Sequence, residues 1–532
     1  MHLIERKFTP VERSMRLSES IIWRWQRRYF EDQGIAAWNQ GTVPHHVSSS
    51  PHMADAYAHL VLGFLRDCAA GEPDASQPVY VVELGSGSGR LGYRMLLRLR
   101  RLMRGVRLSG LRVTYVMSDF TAGACDYWRA HTALQKFIAE GSLDVARFDM
   151  QRDELLQLEV SGHVLDASTL RNPLIVVASY VFDSLPQDAF QLAEGGLYEL
   201  LATVSSPRKE TDGNDPDILT RAECNFEPEQ ANTAPYPDED WNALIDDYRA
   251  RMPDLAFTFP VTALRCIGRL EQLSGGRMLL LSADRGYHTD AALAAGAGTP
   301  RFAAHGSVSM LVDYQLIGAY VDRRGGLARH PAHAHRALSV SAFLLGYDSE
   351  QAAETLQAYD EMVERFGPDD FATLKEGVES GNDQFTLDET LAFLRLSRWD
   401  HLRFLHALPR LREGLGSYTA EQSQSIAAAA HATWQHYFPI GDLEDLAFDI
   451  ATPLLDMGLY EDALSFFQQS ADLYGMEVGT AFNLGLCHLG LGEDSRALIC
   501  IEQALQLDPG MSQARQLRVS LTTAVAVQAI TR

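Results

Sequence analysis

The chain is predicted to fold around a doubly wound α/β sheet, with a helical segment before it and an all-α domain after it. Three observations predict this. Short apolar runs alternate with helical patterns from Val79 to about Tyr320, and strands alternating with helices imply a parallel sheet with crossover helices. The first of those runs leads directly into a cluster of glycines and then a helix. After Ala342 the pattern is helical to the end.

The first residues, "MHLIERKFTPVERS", are charged and lack an apolar core, so no secretory signal is expected. Residues 1–75 read as an N-terminal helical segment packing on the core. Its amphipathic stretches lie around Ile21–Tyr29 and Met53–Cys68, on either side of the polar loop "VPHHVSSSP". Residues 76–345 form the sheet domain, with strand candidates VYVVEL, VTYVMS, LIVVASYV, RMLLLSA and SVSMLV. An acidic, proline-rich insertion near 205–253 is expected to lie as a flap over a strand end. Residues 346–532 form the helical domain. Within it, "EDALSFFQQSADLYG" and "SRALICIEQALQLDP" superpose at a spacing of 34 residues, placing Ala463 on Ala497 and Phe467 on Ile501. Leu484, Gly485, Gly492, Ala497, Ile501, Ala504 and Pro509 stand at the small and apolar positions of a tetratricopeptide repeat. The region 447–512 therefore resembles that repeat. It is either a helical hairpin capping the sheet or a concave docking surface for a protein.

Composition narrows the function. The chain has 532 residues and a formal net charge of −24, which repels nucleic acid and anionic lipid and attracts basic partners. No apolar run reaches the ~18 residues of a membrane span. The six cysteines are scattered without a CxxC pair, which points to reduced thiols, a cytoplasmic setting and no structural zinc. Oligomeric state is not legible.

The stretch "VYVVELGSGSGRLGYRMLLRLRRL" carries the chemistry. A strand running into glycines and a helix lets a ligand approach backbone N–H groups closely. A dinucleotide fingerprint would require glycine at position 90, which is Arg90; the observed pattern is Glu83 followed by Gly85, Gly87 and Gly89. That pattern resembles the first motif of class I S-adenosylmethionine-dependent methyltransferases, with a Rossmann-like sheet. The resemblance implies S-adenosyl-L-methionine as cofactor. Gly85, Ser86, Gly87 and Gly89 would pass under its methionine part, and Glu83 would face its ammonium end. Asp119 and Phe120 at the end of "VTYVMSDF" would take the ribose side, while Asp149 and Met150 in "DVARFDM" would meet the adenine amino group and ring face.

The fourth strand, "NPLIVVASYVFDSLPQDAF", is similar to the "NE-x-x-DALP" segment of MidA-like methyltransferases. These are bacterial and mitochondrial enzymes, one of which methylates an arginine of a respiratory complex I subunit. "VSSSPHMADAYAHLV", "LLLSADRGY" and "HGSVSMLVDYQLIGAYVDRRGG" agree, so the resemblance runs from about Tyr29 to Gly326. It implies Asp183 as the retained acid of the acceptor site, with Ser179 and Tyr180 lining the same pocket where the family carries Asn-Glu. A guanidinium is normally held by carboxylates, so the loss of an acid at position 180 leaves Asp183, with Asp284 or the flap acids as stand-ins. Tyr180 could instead stack on the acceptor or orient it.

Two further clusters are read as structural. His330, His333 and His335 form a polar connector rather than a metal site. The seven arginines from Arg90 to Arg107 form a solvated face, with Leu91, Met95, Leu99 and Leu102 buried. The reading is a methyltransferase acting on a protein, with arginine among the candidate acceptors and the helical domain as docking surface. The alternatives are a non-catalytic binding or assembly module and a small-molecule methyltransferase.

Overall fold

The computed structural model describes every residue except 1–7, 41, 42, 44, 45, 72, 106, 107, 109, 302, 305, 306, 334, 381–384 and 532, and the side chains of 303, 304 and 523–531 are likewise not described. Pro44 and His45 of the polar loop and Arg107 of the arginine series lie outside the described residues. The chain divides into two compact units, 1–373 and 374–532.

The first unit is mixed α/β and holds two sheets. Its strands in chain order are β1 (Thr9–Met15), β2 (Val79–Leu84), β3 (Val113–Asp119), β4 (Leu143–Arg147), β5 (Leu174–Ser179), β6 (Asp188–Ala193), β7 (Gly196–Ser206), β8 (Glu223–Gln230), β9 (Leu255–Phe259), β10 (Met278–Asp284), β11 (Leu327–Arg329) and β12 (Ser339–Leu345). The central sheet has the order β11-β12-β10-β5-β2-β3-β4. Its five strands from β10 to β4 are mutually parallel, and β12 runs antiparallel to both of its neighbours. Every residue of β2 and β10 is buried, as their near-continuous apolar runs require of strands covered on both faces. From β2 the chain proceeds to one side through β3 and β4, then returns to the other side of β2 with β5 and β10. The order therefore reverses between β2 and β5, which opens a crevice at their carboxyl ends.

Four of the five strand candidates are β2, β3, β5 and β10. The fifth, SVSMLV, is not a strand of this sheet: only Val308–Ser309 and Val312–Asp313 make short pairings. The helical pattern expected from Ala342 begins later, because Ser339–Leu345 is the antiparallel strand β12. Its seven residues are all buried between β10 and β11.

The second sheet is antiparallel. One edge of β7 is shared by β6 and β1, the other is taken by β8, and β9 pairs with β6. This corrects two expectations. The N-terminal segment is not wholly helical, since β1 pairs with β7 and its Glu12 accepts from the backbone N–H of Ile21 at 2.9 Å. That carboxylate satisfies a free donor at the start of helix α1 (Ile21–Gln33). The insertion near 205–253 is not a flap: it supplies β8 and a helix at Glu239–Arg251. Its acids and Pro228 make β8 a mostly exposed edge strand, the usual protection of a sheet edge.

Helix α2 (Pro51–Ala70) begins with Ser50 accepting from Met53 N–H at 3.2 Å and with proline in its first turn. Helix α3 (Arg90–Arg104) follows the glycines. Its arginines are not all solvated. Arg90 and Arg94 are 1% and 3% exposed, Arg94 bonds the Ser49 carbonyl, and Arg98 pairs with Asp55 of α2. Leu102 is only half-buried. The first unit also extends past the expected boundary at 345/346. Asp67 of α2 accepts from the backbone of Glu354 and Thr355 at 3.0 and 2.9 Å, and a Cβ at Gly63 would stand 2.7 Å from the Glu354 carbonyl oxygen. The segment after β12 is thus sewn onto α2.

The second unit is helical. The pairs Leu446–Asp456 with Tyr460–Tyr474 and Val478–Gly490 with Asp494–Leu507 pack through small residues: Ala463, Ala497 and Ala504 are fully buried, and a Cβ at Gly485 would stand 2.7 Å from Ile501.

Candidate active site

The crevice between β2 and β5 is a cavity of about 260 Å³. The carboxyl ends of the strands supply one wall through Glu83, Gly85–Ser88, Asp119, Asp149 and Met150. Ser179, Tyr180, Asp183 and Arg285 supply the other end, and Trp23, Gln26, Arg27, Phe30 and Trp38 cover it.

The glycine loop divides by direction. At Gly87, φ is +51° and a Cβ would meet Trp38 Cζ2 at 2.8 Å, on the cavity side. At Gly89, φ is +78° and a Cβ would meet Trp128 Nε1 at 2.9 Å, in the core. Only glycine adopts such backbone freely, but the two positions need it for different reasons. Gly89 does not line the cavity; it starts α3. Just before them Ser86 stitches the loop to β3, its N–H donating to the Ser118 carbonyl at 2.9 Å and its Oγ accepting from Ser118 N–H at 3.2 Å.

The acids differ in their surroundings. Burial pushes Glu83 up to about 8, against hydrogen bonds from Ser86 and Tyr115; Tyr115 donates to its Oε2 at 3.1 Å. No cationic side chain among the described residues pairs with it. Burial also raises Asp119, whose Oδ1 accepts from the N–H and hydroxyl of Thr121, both at 2.9 Å. Asp149 is engaged on both oxygens: Oδ1 accepts from Gln151 N–H at 3.0 Å, and Oδ2 pairs with Arg27 at 2.8 Å. The same Arg27 lies over the Phe120 ring at 4.4 Å, and Met150 is buried beside them.

At the other end, Tyr180 holds φ +53° with its N–H bonded to the Ala283 carbonyl at 2.9 Å. A non-glycine residue there costs ~1–3 kcal/mol and persists only where the surroundings impose it. Burial, then the charges of Asp284 and Asp183, push its phenol up. Asp183 is buried, its Oδ1 accepts from the Ser184 hydroxyl at 2.8 Å, and burial raises it to about 6 against Ser184 and Arg285.

Helix α1 was legible as an amphipathic helix, but its place over the cavity was not. The aromatic-rich "WRWQRRYF" was its one signal. Gln26 fixes that helix to the site, donating to the Ser184 carbonyl at 2.9 Å and accepting from Val308 N–H at 2.6 Å. No residue of 205–253 lines the cavity. The histidines stand apart. His288 stacks on His330 and His335 at 5.3 Å each, His330 bonds Ser341 at 2.9 Å, and burial lowers His330 to about 3. Among the described residues no group of three or more His, Cys, Asp or Glu is arranged to hold a metal ion.

No protein family and no curated protein matches the sequence. Solved structures similar to it include three from Burkholderia thailandensis. An uncharacterized protein is 14% identical with a TM-score of 0.37, over 65% of this chain and 90% of that one. A member of the same superfamily, described as a candidate methyl transferase and bound to S-adenosyl-homocysteine, is 13% identical with a TM-score of 0.38, over 64% and 89%. An O-methyltransferase family protein is 12% identical with a TM-score of 0.29, over 64% and 65%.

Proposed function

We propose that this chain is an S-adenosylmethionine-dependent methyltransferase of the MidA-like kind, with a Rossmann-like catalytic sheet, acting on a protein. One observation carries the reading: a glycine loop lacking Cβ atoms, an acid ending β3 and a buried acid after β5 converge on one cavity at the switch point. The residues fit the cofactor. Gly85 to Gly87 leave room for its methionine part, and Glu83, buried without a cationic partner, gains its missing countercharge from an ammonium group. Asp119 has its second oxygen for ribose hydroxyls, and Phe120 and Met150 offer apolar faces. Asp149 reaches an adenine amino group on exchange of its Arg27 contact. Bound there, the cofactor supplies an electrophilic methyl group. Asp183 holds the acceptor nitrogen and receives its proton, with Ser179 and Tyr180 beside it.

The acidic chain, with net charge −24, favours a basic protein partner, and the six free cysteines favour a cytoplasmic setting. The paired helices of 446–507 fit a tetratricopeptide-like docking surface, with Ile499 64% exposed on one of them. Arginine is the first acceptor to test. Tyr180, standing in the place of an acid, favours a second reading, a binding module that keeps the cofactor as ligand.

Calorimetry with S-adenosylhomocysteine and transfer of a labelled methyl group to lysate proteins test the reading. Binding with transfer to protein is expected; binding without transfer supports the second reading, and no binding removes both. Tyr180→Glu restores the family's acid, so it should preserve or raise transfer to arginine. Its loss of transfer would exclude arginine. Cutting after Thr373 should leave cofactor affinity intact and abolish transfer to the protein.

A further inference from the structure

Beside Asp183 lies a second acid, offered by the sequence only as a stand-in for the carboxylate missing at position 180. Asp284 ends β10 and is fully buried. Its Oδ2 accepts from the backbone N–H groups of Val181 and Phe182, at 3.4 and 3.0 Å, so it fixes the turn that carries Asp183. Its Oδ1 has no donor of normal geometry, and the buried hydroxyls of Ser179 and Tyr57 likewise have no partner of normal geometry. The Asp183 and Asp284 side chains are within hydrogen-bonding reach of each other. Two carboxylates cannot donate to one another, so such a contact requires a proton on one of them.

We propose that Asp284 is a positioning residue of the acceptor site, sharing one proton with Asp183 so that the pair carries a single negative charge and receives the proton an acceptor N–H loses on methylation. The proposal rests on the reading of the cavity given above. The acceptor nitrogen gains an N–C bond and passes its N–H proton to a carboxylate oxygen of Asp183, while the broken C–S bond leaves its electron pair on sulfur. The pair is then neutral, and one proton leaves to solvent to restore it.

The surroundings favour Asp284 as the neutral partner. Burial, then the charge of Asp183, raises it well above the carboxylate range. Arg285, exposed at the cavity rim, acts on Asp183 in the opposite sense. The other titratable groups facing the pair are phenols: Tyr57 from α2, Tyr314 from the helix Tyr314–Arg323, and Tyr180. All three are pushed up and stay neutral. His288 acts only at one remove, bonding Ser339 at 3.2 Å, whose backbone pairs with Asp284. A guanidinium or amine entering this end of the cavity meets one negative charge and one hydrogen-bonded neutral acid.

The test is infrared spectroscopy of the full-length protein at neutral pH. Asp284→Asn keeps an oxygen for the Val181 and Phe182 N–H groups and offers Asp183 a donor that cannot ionise. Wild type should show a protonated-carboxyl band that Asp284→Asn lacks, with S-adenosylhomocysteine affinity unchanged between the two. No loss of that band would overturn the proposal. Should the variant fail to fold, wild type carrying carbon-13 in its aspartates separates the pair from Glu83, and Asp313→Asn and Asp119→Asn subtract the two other buried aspartates that burial raises. A protonated-aspartate band persisting at neutral pH then supports the pair, and its absence rejects it. Failure of wild type to bind S-adenosylhomocysteine would instead count against the functional reading.

Discussion

Asp284 and Asp313 are both fully buried acids of the first unit, and burial raises both, Asp313 to about 7. Their partners differ. Asp313 caps the helix Tyr314–Arg323 by accepting from Leu316 N–H at 2.9 Å, and Tyr248 donates to both of its oxygens at 3.0 and 2.8 Å. Asp284 has one oxygen fully used and one without a donor of normal geometry, and it adjoins the cavity acid Asp183. A shifted acid is thus not in itself a functional one. What separates the two is whether every lone pair is already answered by the fold.

The comparison extends to all groups aimed at the cavity against those aimed at the core, and substitutions can break it. The largest effect should come from Gly87→Val, whose side chain takes ligand space beside Trp38. S-adenosylhomocysteine affinity should fall by more than ~10²-fold by calorimetry, and retained binding would remove the loop from the site. Next, Asp183→Asn should cut methyl transfer by ~10²-fold or more with cofactor affinity nearly unchanged, whereas Asp313→Asn should leave the rate of the folded protein alone. Equal losses in both would erase the distinction. Asp119→Ala removes one or two charge-assisted hydrogen bonds and should weaken binding ~10- to 100-fold; unchanged affinity would free Asp119 from the ribose.

Smaller effects should appear in stability alone. Asp313 binds its proton more tightly folded than unfolded. Its stabilisation is therefore complete below about pH 4 and is lost as pH rises toward 7, by up to ~1.4 kcal/mol per pH unit. Asp313→Asn should remove that component from urea denaturation compared across this range, and an unchanged slope would show that Asp313 ionises freely. Gly89→Ala should destabilise by ~1–3 kcal/mol through positive φ and contact with Trp128. Weakened cofactor binding there would make Gly89 a cavity residue after all.

Much of this was legible along the chain. The runs ending at Leu84, Asp119, Ser179 and Asp284 were readable because strands buried on both faces need near-continuous apolar sequence, and β2, β3, β5 and β10 come close to it. The strand β12 was missed because its serines at 339 and 341 break that pattern. They are tolerated because Ser339 meets His288 and Ser341 meets His330, partners supplied from other elements. SVSMLV was misread for the converse reason: Val308 and Val312 are buried, but against α1 and the second sheet's surroundings rather than in the central ladder. The solvated face assigned to the arginines failed at Arg90 and Arg94, because helical periodicity cannot show that α2 covers that face.

The sequence by itself determined which residues could do chemistry: the glycines and acids at strand ends, because backbone freedom and ionisable groups belong to residue type. Only the tertiary structure decided their uses. It turned Gly87 to the cavity and Gly89 to the core, gave Asp149 to Arg27, laid α1 over the crevice and set Asp284 against Asp183. Those outcomes depend on which distant segments meet. Burial and hydrogen-bond partners act across space, and neither is recorded in the spacing of residues along a chain.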